Sequence, residues 1–213
     1  IPGVYYLSEE ERAGWFPTTP SPLPVEVSAL QPFNITGQNF GNAKYGSITG
    51  NKFLDFNLNG YRDGAEPKLA GWTIVLDGYQ TDGTHIHLVT VTDACGDYAF
   101  LNLKPGVYTV SEVLLNGWIN TTPLSKIITM IEGSDVTCAK FGNVPLGSIC
   151  GWKFYDWDMD GTKDGNEPGI PGWMITLTGT LTNGAPILPI VTHTDANGVW
   201  CVNNLLPGYY VVT

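Results

Sequence analysis

Two twelve-residue stretches hold the residues best placed to do chemistry, "DFNLNGYRDGAE" at 55–66 and "DWDMDGTKDGNE" at 156–167. Each sets oxygen-bearing side chains at its first, third, fifth, ninth and twelfth positions, with glycine at the sixth. Calcium takes six to eight oxygen ligands at about 2.3–2.6 Å, and a loop of this length wraps one ion. In the first loop Asp55, Asn57 and Asn59 offer side-chain oxygens and the Tyr61 carbonyl takes the seventh position. Asp63 stands at the ninth, and Glu66 offers both oxygens at the twelfth. The second loop offers Asp156, Asp158, Asp160, the Thr162 carbonyl, Asp164 and Glu167. Both fit the pattern D-x-[DN]-x-[DN]-G-x5-E, whose glycine permits the sharp turn. A single match reads equally well as a polar turn with solvated charges. Two matches in register, in a chain of formal net charge −10, point to Ca2+ as the expected cofactor. The first loop carries three carboxylates and the second five, so the second is expected to bind more tightly.

The elements that must position these loops are strands. "KFLD" before the first loop and "GWTIVL" after it are β-rich, unlike the helices that flank a helix-loop-helix sensor. Across all 213 residues, short Val/Ile/Thr/Tyr runs are broken by 26 Gly and 15 Pro, and no long run has helical period. The chain reads as all-β. Its acidity opposes nucleic acid and anionic membranes as partners, because phosphate binding needs a basic patch. No run of about 18 apolar residues offers a membrane span.

The loops recur because the chain repeats. "GSITGNKFLDFNLNGYRDGAEPKLAGWTIVLDG" (46–78) aligns without a gap with "GSICGWKFYDWDMDGTKDGNEPGIPGWMITLTG" (147–179), an offset of 101. "TDACGDYAFLNLKPGVYTV" (92–110) then aligns with "TDANGVWCVNNLLPGYYVV" (194–212). At the N-terminus "IPGVYYLSEEERAGWFPTTP" matches "KPGVYTVSEVLLNGWINTTP", and "NFGNAKYGSI" matches "KFGNVPLGSI". The expected organisation is therefore a domain tail at 1–45, a whole domain at 46–146 and an incomplete domain at 147–213 lacking its last strands. With no initiator Met, the chain reads as cut from something larger. Two arrangements fit: one window of a long repeat protein, or a filament subunit whose N-terminal strands complete a neighbour by strand addition. Either way, the expected partners are other copies of itself.

The motifs "G-S-I-x-G-x-K-F-x-D", "D-G-x-E-P", "G-W", "T-D-A-x-G", "L-x-P-G-x-Y" and "F-G-N" together resemble the SdrD B-like domain, within the wider Cna-B group of surface-protein modules. The resemblance covers essentially the whole chain. It implies tandem transthyretin-like (prealbumin-like) antiparallel β-sandwiches of about seven strands, and an extracellular, cell-surface setting in stalks, adhesins, surface layers or fibres. Cna-B modules often carry an internal Lys–Asn amide bond promoted by a nearby acid. The resemblance implies Lys52 in the first strand, Asn143 in the last, and Glu112 as that acid. The same types recur as Lys153 in the incomplete domain and as Asn42 and Glu9 in the tail. If the tail completes a neighbour, Lys153 could bond to Asn42 of another copy.

Four cysteines occur, Cys95, Cys138, Cys150 and Cys201, without a C-x-x-C pattern, which argues against zinc and redox chemistry. Cys150 and Cys201 have repeat counterparts Thr49 and Ala99, so the first domain lacks both together. That favours Cys150–Cys201 and Cys95–Cys138 as pairs; the other pairings and free thiols stay open. Asn34 in "NIT" and Asn120 in "NTT" are glycosylation sequons. Trp72 aligns with Trp173, and Trp15 with Trp118, which suits packing better than sugar binding. His85 and His87 alternate on one strand face. No Ser-His-Asp set, phosphate loop or convergent acid–base pair emerges, so an enzyme is not expected. The leading reading is a calcium-stabilised structural repeat of an extracellular filament, sheath, stalk or surface layer, assembling end to end. The alternative is a ligand-binding adhesin module.

Overall fold

The computed structural model describes residues 1–30, 34–137 and 139–213. Among them no helix forms, and the chain runs as strands joined by turns. The tail carries Gly3–Leu7 (β1), Trp15–Pro17 (β2), Leu23–Val27 (β3) and Asn42–Lys44 (β4). The first full repeat carries Gly46–Leu54 (β5), Thr73–Gln80 (β6), His85–Val91 (β7), Asp97–Leu103 (β8), Gly106–Glu112 (β9), Trp118–Asn120 (β10), Ser125–Met130 (β11), Asp135–Val136 (β12) and Phe141–Pro145 (β13). The second carries Gly147–Trp152 (β14), Met174–Leu181 (β15), Pro186–His193 (β16), Val199–Leu205 (β17) and Gly208–Val212 (β18). The fold is an all-β sandwich type. Of the nine strands in 46–146, β10 and β12 are only three and two residues long, which leaves seven substantial ones.

Alternation sets which residues face the core, because successive side chains of a strand point to opposite faces. In β6, Ile74 and Leu76 point inward; in β9, Gly106, Tyr108 and Val110 do. The same alternation carries two polar residues to buried positions. Glu112 follows Tyr108 and Val110, and Lys52 follows Ile48 and Gly50 on β5.

The chain forms two compact units. One comprises residues 1–51, 71–112 and 125–139. Its main sheet is antiparallel in the order β11-β9-β6-β7, with Leu76 opposite Val110 on one side and Leu88 on the other. β5 pairs antiparallel with β8, Ile48 facing Phe100, and parallel with β12. In the tail, β1 pairs with β3 and β2 with β4. These pairings repeat those of β9 with β11 and β10 with β13, Trp15 facing Lys44 as Trp118 faces Pro145. The tail packs on its own unit through Phe16, which stacks on Tyr45 and lies under the Lys104 ammonium at 5.0 Å.

The other unit comprises residues 52–70, 113–124 and 140–213. Here the end of β5 runs parallel to β13, Lys52 facing Phe141 and Leu54 facing Asn143, and β13 is antiparallel to β10. The sandwich is thus not antiparallel throughout. The first and last strands of the repeat run the same way, which is possible because the whole intervening chain serves as their crossover. β14 pairs with β17, and β15 lies between β16 and β18. A core of Ile175, Leu177, Trp200, Val202 and Leu205 forms there, each large apolar side chain contributing about 1.5–3 kcal/mol when fully buried. Cys150 lies opposite Cys201 across β14 and β17, and the two are disulfide-bonded with Cα atoms 4.1 Å apart. Cys95 is exposed and has no disulfide among the described residues; Cys138, its expected partner, lies outside them.

Candidate metal loops and a buried lysine–asparagine pair

Each twelve-residue loop is pinned at its base by the strands that flank it. Leu54 N–H donates to Pro67 O at 2.9 Å and Leu69 N–H to Lys52 O at 2.8 Å. Tyr155 N–H to Pro168 O (3.0 Å) and Ile170 N–H to Lys153 O (2.8 Å) repeat this in the second loop. The turns also match. Gly60 and Gly161 both have φ 78°, and Leu58 and Met159 both enter the left-handed region at φ 59° and 60°. Glycine is needed at the sixth position because a side chain there would be strained.

In the first loop Asp55 is fully buried. Its Oδ1 accepts Asn59 N–H (3.1 Å) and its Oδ2 accepts Gly60 N–H (2.7 Å). Asn57 Oδ1 accepts Asn59 N–H, and Asn59 Oδ1 accepts Tyr61 N–H. Both amide nitrogens donate to Asp63 Oδ2, at 2.7 and 2.8 Å, so Asn57, Asn59 and Asp63 converge. Turning either amide over would present an oxygen at the same place. Glu66 is buried. Its Oε2 accepts Asp63 N–H at 3.0 Å, while its Oε1 has no hydrogen-bond partner among the described residues.

The second loop repeats the scheme with more charge. Asp156 Oδ2 accepts Gly161 N–H, Asp158 Oδ1 accepts Asp160 N–H, and Asp160 Oδ1 accepts Thr162 N–H. Glu167 accepts Trp157 N–H and Asp164 N–H, one on each oxygen. Carboxylate oxygens of Asp156, Asp158 and Glu167 lie within 4.8 Å of one another, as do those of Asp158, Asp160 and Asp164. Asp156 Oδ1 is buried without a hydrogen-bond partner among the described residues. A carboxylate oxygen only accepts, so burying one without a donor is costly, and a cation removes that cost. The donor set is all hard oxygen, which suits calcium and not a softer metal. Tyr61 and Thr162 stand at the seventh position, each with its N–H held by the fifth side chain.

Beside the first loop lies the Lys–Asn pair. Lys52 and Asn143 are both 0% exposed on neighbouring parallel strands. Lys52 Nζ donates to Phe141 O at 3.2 Å, which sets the amine at the strand that carries Asn143. Neither polar atom of the Asn143 side chain has a hydrogen-bond partner among the described residues. A buried amide left unsatisfied costs about 1–3 kcal/mol. Glu112 is buried on its own strand, in the other unit, and its charge reaches Tyr98. The Tyr98 hydroxyl, which donates to Ala139 O, is held well above the usual tyrosine range, first by burial and then by Glu112.

The recurrences are placed differently. Asn42 Nδ2 donates to Glu9 Oε2 at 2.5 Å in the tail. Lys153 is half-buried with its ammonium 4.6 Å from the centre of the Trp173 ring. Of the sequons, Asn34 is exposed, whereas Asn120 is half-buried and its Nδ2 donates to Thr122 O at 2.9 Å, so the nitrogen that would carry sugar is engaged. One cluster escaped the sequence reading. His87 Nδ1 and His85 Nε2 lie 2.8 and 3.3 Å from the two Asp77 oxygens. The alternation of the histidines was visible, but Asp77 becomes their neighbour only through the pairing of β6 with β7.

The SdrD B-like domain model matches residues 46–139. Serine-aspartate repeat-containing protein F of Staphylococcus epidermidis is 29% identical over 171 residues, which is 74% of this chain and 10% of that protein. Colossin-A of Dictyostelium discoideum is 30% identical over 194 residues, 82% of this chain and 2% of that protein. The chain thus spans a tenth or less of either relative. Among solved structures, the Bacillus anthracis TIE protein is 19% identical with a TM-score of 0.45, covering 100% of this chain and 36% of that one.

Proposed function

Because residues 46–139 are an SdrD B-like domain, we propose that the chain is a structural, stalk-like repeat of an extracellular cell-surface protein, stiffened by one calcium ion per repeat. The observation that carries this is the pair of buried carboxylate oxygens, Glu66 Oε1 and Asp156 Oδ1, that have no hydrogen-bond partner among the described residues, in two loops of the same design. Asp55, Asn57, Asn59, the Tyr61 carbonyl, Asp63 and Glu66 would hold the first ion. Asp156, Asp158, Asp160, the Thr162 carbonyl, Asp164 and Glu167 would hold the second. A bound ion cross-links the start of each loop to its end and so fixes the strands at its base. Extracellular modules work with calcium affinities on the order of 10⁻⁴–10⁻³ M, since calcium is plentiful outside cells.

The second stiffening device is an amide bond between Lys52 and Asn143. Full burial disfavours an ammonium ion, and the reaction needs the neutral amine. Lys52 Nζ attacks Asn143 Cγ, the Cγ–Nδ2 bond breaks, and Nδ2 leaves as ammonia with a proton taken from the amine. Joining first strand to last makes the repeat resist pulling along the chain. The repeats are arranged in tandem, and end-to-end assembly with other copies follows from that use.

Calorimetric titration of the chelator-treated chain with calcium tests the reading. Two binding events are expected, with Glu66→Gln abolishing one and Glu167→Gln the other. Silence in the titration, with no change in thermal midpoint on adding calcium, would overturn it.

A further inference from the structure

The geometry points to a metal site of a second kind, on the solvent face of the first repeat: Asp77, His85 and His87 form a three-ligand site for a divalent metal of borderline softness, with zinc as its type. The site shares no residue with either twelve-residue loop, and it stands whether or not those loops take calcium.

Strand register builds it. Residues two apart on a strand share a face, so His85 and His87 project the same way from β7. In the antiparallel pairing of β6 with β7, Asp77 stands directly opposite His87, and Tyr79 opposite His85. One carboxylate therefore meets both rings. His87 Nδ1 lies 2.8 Å from one of its oxygens, and His85 Nε2 lies 3.3 Å from the other. The backbone beneath is held, because β6 is paired on both sides, to β7 and to β9, and strands place ligands more precisely than loops do. The side chains above it have room to close on an ion: those of Asp77, His85 and His87 are 50%, 49% and 56% exposed. The Tyr79 ring, with its centre 4.9 Å from that of His85, backs this imidazole.

The donor set selects the metal. Two imidazole nitrogens and one carboxylate oxygen suit zinc and its neighbours in the first transition row, whereas calcium takes oxygen. A neutral imidazole carries one N–H. With that proton on the outward nitrogen, His85 Nδ1 and His87 Nε2, both inward nitrogens turn lone pairs toward the carboxylate, and a cation among the three satisfies all of them. Each nitrogen now lies on a different oxygen. Rotation of the two exposed rings about their side-chain bonds brings both to the bonding distance of about 2.0–2.1 Å that zinc requires. The flanking positions on the same face are Val75, Tyr79, Val89, Val107 and Thr109. None carries a charge, so at these positions no lysine or arginine competes for the carboxylate.

The second repeat supplies an internal contrast. There Asp77 is replaced by Thr178, and "THIH" (84–87) by "APIL" (185–188). β15 and β16 nevertheless pair as an antiparallel hairpin. The hairpin forms without any of the three ligands, so folding does not account for their presence in the first repeat. The chain is expected to hold one such site, against two oxygen loops.

The test titrates zinc into the intact 213-residue chain by calorimetry, in excess calcium so that the oxygen loops do not compete. The ring signals of the three histidines are followed by NMR in the same buffer. One zinc per chain is expected, with His85 and His87 shifting together. His193, exposed on β16 opposite Met174, should stay unmoved. His85→Ala and His87→Ala should each lose the event, and Asp77→Asn should weaken it by about ten-fold or more. His193→Ala should bind as the parent does. Because the three ligands are exposed, their variants should keep the thermal midpoint of the parent in the absence of zinc, which separates lost binding from lost fold. Unmoved His85 and His87 signals at a large excess of zinc would overturn the site. So would zinc binding that survives His85→Ala with His87→Ala, or an equal shift of His193.

Discussion

The N–H of Asp55 donates to the carbonyl of Asn143 at 3.0 Å, so the first residue of the first twelve-residue loop and the amide-bearing residue of the last strand share one backbone hydrogen bond. The candidate ion site and the candidate lock are thereby mechanically adjacent. Whatever fixes β13 against β5 also fixes the start of the loop. Coupling of this kind is reciprocal when both partners are read as binding free energies. Asn143→Ala keeps the backbone bond and loses the lock. It should weaken calcium at the first loop several-fold and leave the second loop unchanged. Titration of the variant beside the parent reads both loops at once, and equal affinity at the first would show that the two devices act separately.

The lock has its own signature. The parent chain should weigh one ammonia less than its sequence, whereas Lys52→Ala and Asn143→Ala should each have their full sequence mass. In the chain-entropy picture, a cross-link closing about 90 residues is worth on the order of 4 kcal/mol, less any strain. The unlocked variants should therefore melt well below the parent, and an unchanged midpoint together with full sequence mass in the parent would show that no lock forms.

The two loops differ in charge. Loop two offers five carboxylates against three, and two groups of three already lie within 4.8 Å. It should take calcium more tightly, and Asp158→Asn with Asp160→Asn should bring it to the level of loop one. At calcium a hundred-fold above the dissociation constant, a single site adds about 2.7 kcal/mol of stability. A chelator should remove that increment from the parent and leave the double loop variant, Glu66→Gln with Glu167→Gln, unmoved. A tighter first loop would mean that repulsion among crowded carboxylates outweighs their number.

The disulfide offers a further check. Cys150 and Cys201 are 51 residues apart, and closing a loop of that size is worth about 4 kcal/mol at most in the entropic model. Reduction should lower the thermal midpoint, and Cys150→Ala should show the same lowered midpoint with or without reductant.

The sequence made the repeat and the loops legible because both are local. The glycine at the sixth position, the alternating acids and the GW turn lie within thirty residues of one another. The pairing of Cys150 with Cys201 was legible for another reason, the joint absence of both from the first repeat. What lay hidden depends on pairing between distant strands. The parallel run of β13 beside β5 cannot be seen in either strand alone. Nor can the contact of Glu9 with Asn42, 33 residues apart, or the meeting of Asp77 with both histidines.

That last contact carries a pH prediction. Asp77 is held below the usual carboxylate range, first by the hydrogen bond to His87 and then by that to His85, against an opposing effect of burial. A carboxylate whose folded pKa is depressed contributes stability above its unfolded value, and that contribution is lost as pH falls through the folded one. The group is exposed, so solvent screens the pair and the effect on overall stability is small. The direct reading is the titration of the Asp77 carboxyl carbon by NMR. Its midpoint should lie below that of an ordinary aspartate and should rise in His87→Ala more than in His85→Ala, because the His87 bond is the shorter, at 2.8 Å against 3.3 Å. An unchanged midpoint in both variants would mean that the backbone around Asp77, and not the histidine pair, sets its acidity.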